Sequence, residues 1–272
     1  MTETIPKISS FLLIDSAMLG GTEAFLSMMS DARPAWLIPI YREDAATVSP
    51  LVIDIEAAER AGQLELMMAL VNARQPQLHV SIIETVLTHQ QLAQHLRHFI
   101  CVRLDTGKEP TLRFADCCIL PALAHVLTPA QWTTFVGPVV RWCVHERDGT
   151  LTTLPQADQE QAPVATPFIL TAQQVESLKE SAAADQLIGN VQRMRYGQTL
   201  SGNPVEQHQW ASEARRIWHA AGHYDNGVLF SLASAIFDTR GGLLMHPELP
   251  DILAQKNTAS ICRDLQQAAI RL

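Results

Sequence analysis

The hydrophobic pattern of this chain changes character once along its length. Over roughly the first 154 residues the apolar positions come mostly in short runs. Phe11-Leu12-Leu13-Ile14 is continuous and stops at Asp15, which suits a strand buried on both faces. Ala35-Trp36-Leu37-Ile38, closed by Pro39, and Leu51-Val52-Ile53 repeat that form, and residues 80–86 read as a further strand. Helical spacing interrupts the runs. Thr22 can cap a helix over residues 23–29 after Gly20-Gly21, and Leu64, Met67, Met68 and Val71 recur on one helical face. Thr88 followed by Gln91 is a capping box, so a helix should carry Leu92, His95, Leu96 and Phe99 on one side. Residues 101–104 and 111–114 read as a hairpin around a turn containing Gly107 and Pro110. Asp116 can cap the turn that follows, Pro121 belongs in the first turn of a helix, and Thr128-Pro129 starts another helix that Gly137-Pro138 stops. Residues 139–145 should pair with 150–153 across Arg147-Asp148-Gly149.

Residues 155–167 hold three prolines with several Gln and acidic residues, and read as an exposed linker or surface loop. Beyond them the period is helical almost throughout: residues 170–194, 204–221 and 227–237, then a helix or broken pair over 252–270. The expected architecture is an α/β (α+β) lobe over 1–154, with a mixed sheet flanked by helices. A linker over 155–169 and an all-helical lobe over 170–272 complete it.

Composition narrows the function. With 47% hydrophobic and 18% charged residues the chain can build a core, and a net charge of −8 with no cluster of Lys and Arg beyond Arg215-Arg216 argues against nucleic acid. Five cysteines without CxxC spacing point to a reducing, cytoplasmic compartment, and the first residues lack the form of a signal peptide. No apolar run reaches the roughly 18 to 20 residues a membrane helix needs. No metal or cofactor is expected: His89, His95 and His98 lack a zinc-binding spacing, and Gly20-Gly21 lacks the phosphate-binding patterns. His95 is better read as a histidine beside the core with one ring nitrogen bonded to backbone. Cys117 or Cys118 could become a thiolate beside Arg113, although a buried, inert role fits them better. Arg97, Arg113 and Asp116 suggest an ion network tying a helix to a strand. The five tryptophans are read as core first.

At His95-Leu96-Arg97, Leu112-Arg113-Phe114-Ala115-Asp116 and Phe135-Val136-Gly137-Pro138-Val139-Val140-Arg141-Trp142, the chain resembles the bacterial type VI secretion adaptors, effector chaperones first catalogued as a domain of unknown function. Leu13-Ile14-Asp15-Ser16-Ala17, Trp36-Leu37-Ile38-Pro39 and Pro50-Leu51-Val52 follow the same order, with looser similarity at Ala220-Ala221-Gly222 and His246-Pro247. The resemblance departs at Cys117-Cys118, which stand where the family commonly has Pro-Arg. It implies a non-enzymatic protein that binds a secreted effector and assists its loading onto the valine-glycine-repeat spike. It also implies that Asp15, Trp36, His95, Arg97, Arg113, Asp116 and Trp142 are scaffold or partner-binding positions. The client surface is expected in the helical lobe, at Trp218, His223, Tyr224, Phe230 and Phe237. An immunity-type effector-binding protein and a hydrolase using Asp116 with His95 are the alternatives.

Overall fold

Alternate residues of the first strand bury into two different cores, which accounts for its unbroken apolar run. A computed structural model describes residues 7–20, 33–158, 160–197 and 199–272, without the side chains of residues 43 and 44. The helix expected over residues 23–29 lies outside the described residues. In β1 (Ser9–Asp15), Phe11 and Leu13 pack into one core while Leu12 and Ile14 pack into another. β2 (Leu37–Pro39), β3 (Pro50–Asp54), β4 (Val80–Thr85), β6 (Val139–His145) and β7 (Leu151–Thr153) complete a six-stranded sheet, ordered β2-β3-β1-β4-β6-β7. Every pairing in it is antiparallel. Leu13 and Ile14 have no exposed surface, and each such side chain contributes about 1.5–3 kcal/mol relative to staying in water.

The α-helices of this region among the described residues are α1 (Ile55–Arg60), α2 (Leu64–Val71), α3 (His89–Arg97), α4 (Leu120–Val126) and α5 (Pro129–Val136). The signals read in the sequence set their starts. Thr88 and Gln91 form the capping box of α3, Thr128 and Gln131 that of α5, and Pro121 sits in the first turn of α4. On one side of the sheet Phe135 is the centre of an aromatic cluster, 4.9 Å from Phe99, 5.3 Å from Trp142, 5.7 Å from Phe114 and 5.8 Å from Trp132, ring centre to ring centre. The indole N–H of Trp142 donates to Ser81 Oγ at 3.0 Å, and that of Trp36 to Gln63 Oε1 at 2.6 Å, so neither ring buries an unpaired donor.

Two expectations are corrected, and the first is the mixed sheet, which is antiparallel throughout because its described strands follow one another by reversing connections. The hairpin expected over 101–114 is present in irregular form, with a bridge between Cys101 and Thr111 and backbone bonds from Val102 N to Pro110 O, Leu104 N to Lys108 O and Leu112 N to Ile100 O, while β5 (Arg103–Leu104) also pairs, in parallel, with β8 (Ile169–Leu170). Of the two readings of residues 155–169, the surface loop holds and the linker does not, because β8 ties their end to β5. Phe168 is buried, Trp132 Nε1 donates to Pro155 O, Thr133 Oγ1 donates to Asp158 O, and Val164 N donates to Thr134 Oγ1. The compact units are accordingly Met1–Leu178 and Lys179–Leu272, divided inside α6 (Ala172–Met194).

The second unit is helical, as expected: the rest of α6, then α7 (Pro204–Ala220), α8 (Asn226–Asp238), α9 (Leu249–Leu253) and α10 (Thr258–Ile270). Asn203 caps α7 through a capping box with Glu206, and Asp225 caps α8. Its core is built on Leu187, Val191, Leu232, Ile236 and Leu265, and Trp210 lies over Gly202 and Gly241. Both glycines have φ of +82°, a left-handed backbone with no room for a Cβ against the indole. No helix among the described residues is long and apolar enough to cross a membrane.

Candidate partner-binding groove

β1 ends where its last residue leaves the sheet with a buried charge. Asp15 Oδ1 accepts from Ala17 N at 3.0 Å, which turns the chain, and Asp15 Oδ2 lies 2.8 Å from Arg113 Nη2. The same nitrogen lies 3.2 Å from Asp116 Oδ2, and Asp116 Oδ1 accepts from Cys118 N at 2.9 Å. One half-exposed guanidinium therefore joins the end of β1 to the turn that leads into α4. Burial disfavours its charge, but the bond to Asp15 and the fields of Asp15, Asp116 and Tyr41 outweigh that and raise its pKa. Tyr41 stands beside the network, and its hydroxyl is pushed up by burial first and by Asp15 second. A pocket of about 290 Å³ opens there, lined by Asp15, Tyr41 and Arg113 with Val48 and Thr111.

Arg97 does not join that network, contrary to the expectation of a three-residue cluster. It reaches across to the sheet edge, donating from Nε to Ile40 O at 3.1 Å and from Nη2 to Pro39 O at 3.0 Å. The geometric reason is that the end of α3 faces β2, whose carbonyls at this edge have no neighbouring strand among the described residues. Proline has no N–H, and Leu37 N is taken by Pro34 O at 3.1 Å, so this part of the edge is largely closed to an added strand. Arg97 and β2 form the wall of a large open groove of about 1400 Å³, whose lining includes Arg33, Tyr41, Arg42, Val48, His98 and Ile100.

His95 is placed as expected. Its Nε2 donates to Phe135 O at 2.8 Å, its ring meets Phe99 edge-on, and burial lowers its pKa more than that bond raises it. His95 and Asp116 thus have separate partners, Phe135 O for one and Arg113 with Cys118 N for the other. Cys117 is buried, its thiol donating to Val80 O at 3.1 Å, and burial pushes its pKa up to about 12. That is the opposite of an activated thiolate. Its backbone N–H donates to Leu78 O, a bond that proline at this position could not make. Among the described residues no group of three or more His, Cys, Asp or Glu is placed to hold a metal.

The helical-lobe surface expected at five residues is corrected at two of them. Trp218 is buried with Nε1 donating to Asp225 O at 3.1 Å, and Phe237 is 1% exposed inside the core. Helical periodicity put them on the apolar face, and that face packs inward. His223 is half-buried with Nε2 donating to Leu253 O at 2.6 Å, and Phe230 is partly buried against the same core. Tyr224 alone of the five is well exposed, at 83%. Sequence reasoning missed the groove itself. Arg42, Val48 and Tyr41 carried no motif, and only the pairing of β2 with β3 brings residues 37–42 and 48 beside Arg97 and His98.

Residues 10–134 match the model of a family described as Domain of unknown function (DUF4123). No curated protein and no solved structure matched the chain.

Proposed function

We propose that this protein is a non-catalytic adaptor of type VI secretion, which binds a secreted effector in the cytoplasm and assists its loading onto the valine-glycine-repeat spike. The observation that carries this reading is a coincidence of position. Most of the motifs that resemble the adaptors, the family match over residues 10–134 and nearly all the lining of the groove fall on the same stretch of chain. The chemistry of that stretch favours holding over turnover. Asp15, Arg113 and Asp116 satisfy one another, His95 is tied to a backbone carbonyl, and Cys117 is a buried thiol far from ionising at neutral pH. An adaptor needs a preformed surface with a few apolar anchors and a polar rim, and the groove offers both beside a rigid sheet edge.

Co-expression with the products of neighbouring genes tests the reading. An adaptor gives a stable complex with an effector that is soluble or abundant only in its presence, and no chemical change in that effector. Neutralised toxicity without any association with the spike would favour the immunity-type alternative. Turnover lost in both Asp116→Asn and His95→Gln, with folding intact, would replace the adaptor by a hydrolase.

A further inference from the structure

The two edges of the six-stranded sheet are finished differently. At the β2 edge Asp54 N bonds Trp36 O and Ile40 N bonds Pro50 O, so by the alternation of an antiparallel ladder Leu37 and Pro39 turn their backbone groups outward. Leu37 N is held by Pro34 O, Pro39 has no N–H, and the Pro39 carbonyl is held by Arg97, which leaves at most the Leu37 carbonyl. The β7 edge has no such closure. Glu146 N donates to Thr150 O and Leu154 N to Trp142 O, which sets residues 150, 152 and 154 on the ladder with β6. The N–H and C=O groups of Leu151 and Thr153 therefore point away from the sheet, and none of the described residues takes them up. Residues 150–153 are exposed, Leu151 by 52%, and β7 contains no proline and no charge, the residues that commonly guard an edge.

These outward groups form a self-complementary set. When a second β7 runs antiparallel to the first about a two-fold axis through Thr152, Leu151 of each copy faces Thr153 of the other. Each of those pairs exchanges two N–H···O=C bonds, so every outward group of both copies finds a partner. Thr152 meets its own copy on the axis, and Leu151 lies against Thr153, cross-strand pairs that favour association and set no like charges opposite each other. The strand whose donors and acceptors match this edge in number and spacing is thus the same strand in another molecule. The closed β2 edge decides how far association goes: it offers no ladder to a further β7, so growth stops at two copies with closed symmetry. We propose that this protein self-associates through β7, two copies joining their sheets edge to edge into one continuous sheet. The β2 edges, each with the groove beside Arg97, then stand at the two outer ends and stay open. The proposal does not depend on the adaptor reading. The contact is small against the roughly 1,200 Å² or more that stable complexes bury, so the association is reversible and concentration-dependent.

Sedimentation equilibrium of the full chain, from about 10 µM to about 1 mM, tests it. The mass should rise from 30.1 kDa toward twice that value and no further. Leu151→Lys and Thr153→Pro should each weaken self-association at least about tenfold, the first by bringing two charges together across the axis and the second by removing an outward N–H that β6 does not use. Thermal melts matching the wild type confirm that the fold is kept, and Leu151→Lys, which leaves the backbone ladder untouched, decides if the proline lowers the melt. Thr152→Cys reads the register. Facing residues of a non-hydrogen-bonded antiparallel pair lie about 4.5 Å apart at Cα, within disulfide reach, so mild oxidation should give a covalent dimer linked at position 152 of both copies. Mass spectrometry maps the link, with the oxidised wild type as the control for the native cysteines. A single chain at every concentration, growth beyond two copies, or a dimer that Leu151→Lys leaves intact would overturn the proposal. So would an oxidised Thr152→Cys variant linked no differently from the wild type. If the chain stays single by itself while a co-expressed effector protects residues 150–154 from hydrogen exchange, the edge serves the client and self-association is refuted.

Discussion

Replacing Arg113 by Met removes one charge and leaves two. In the folded protein Nη2 of Arg113 lies 2.8 Å from Asp15 Oδ2 and 3.2 Å from Asp116 Oδ2, so those oxygens are at most 6.0 Å apart. Without the guanidinium their repulsion is about 1.4 kcal/mol at an effective dielectric of about 40, and twice that at about 20. The higher dielectric is the better choice, because the Arg113 side chain is 55% exposed and water reaches the site. Lost charge-assisted hydrogen bonds add to this, partly offset by hydration of the freed carboxylates. The expected net cost is about 2 kcal/mol, which corresponds to roughly 30-fold faster amide exchange wherever opening of this junction limits protection. Hydrogen exchange read by mass spectrometry on peptides covering residues 9–15 and 112–120 measures it locally, without requiring both units to unfold together. Arg113→Met combined with Asp15→Asn should recover about half of the loss, since the like-charge pair is then gone. An unchanged exchange rate in Arg113→Met, or strict additivity of the two substitutions, would refute the network as the tie between β1 and α4.

Other expectations follow from the same structure. His79, His89 and His95 are all held below the ordinary histidine pKa, in each case chiefly by burial and against the pull of a backbone carbonyl. The unfolded chain therefore takes up protons first. Stability is fully present above about pH 6.5 and falls on acidification by up to about 1.4 kcal/mol per pH unit for each histidine. His79 has the most acute case, with Nε2 on Leu70 O and Nδ1 buried without a partner, so His79→Gln should flatten part of the slope in melts between pH 7.5 and 5.5. A steeper slope in that variant would contradict the assignment. Alkylation of the native protein at pH 8 should modify the half-exposed cysteines well before Cys117, and equal labelling would show that its site opens. Gly241→Ala places a Cβ 2.5 Å from Trp210 Nε1 at a left-handed φ, and should cost about 2–4 kcal/mol in exchange protection of α7 and α8. Gly62→Ala, also left-handed but with nothing near, should cost about 1 kcal/mol.

The elements and the two-part plan were legible because they rest on local rules. Thr88-Gln91 and Thr128-Gln131 cap helices through their own side chains, and the run at residues 11–14 needs only a sheet covered on both faces. The domain boundary was not legible. Residues 155–169 have the composition of a linker, and buried Phe168, the pairing of β8 with β5 and the bonds of Pro155, Asp158 and Val164 to α5 side chains draw them into the first unit. The partners of the arginines were half legible. Arg113 and Asp116 are three residues apart and meet, but Asp15 is 98 positions from Arg113, and Arg97 is diverted to a sheet edge that exists only after β2 has paired. Aromatic residues on a helical stripe cannot be divided into core and surface without knowing which stripe packs, which is why Trp218 and Phe237 turned inward.

Delivery of the effector to the spike tests the central claim most directly. The effector, the spike protein and this chain are co-expressed, and the spike is isolated with and without the chain present. The adaptor reading predicts that the effector accompanies the spike only when this protein is supplied. An effector that reaches the spike equally well in its absence would contradict it.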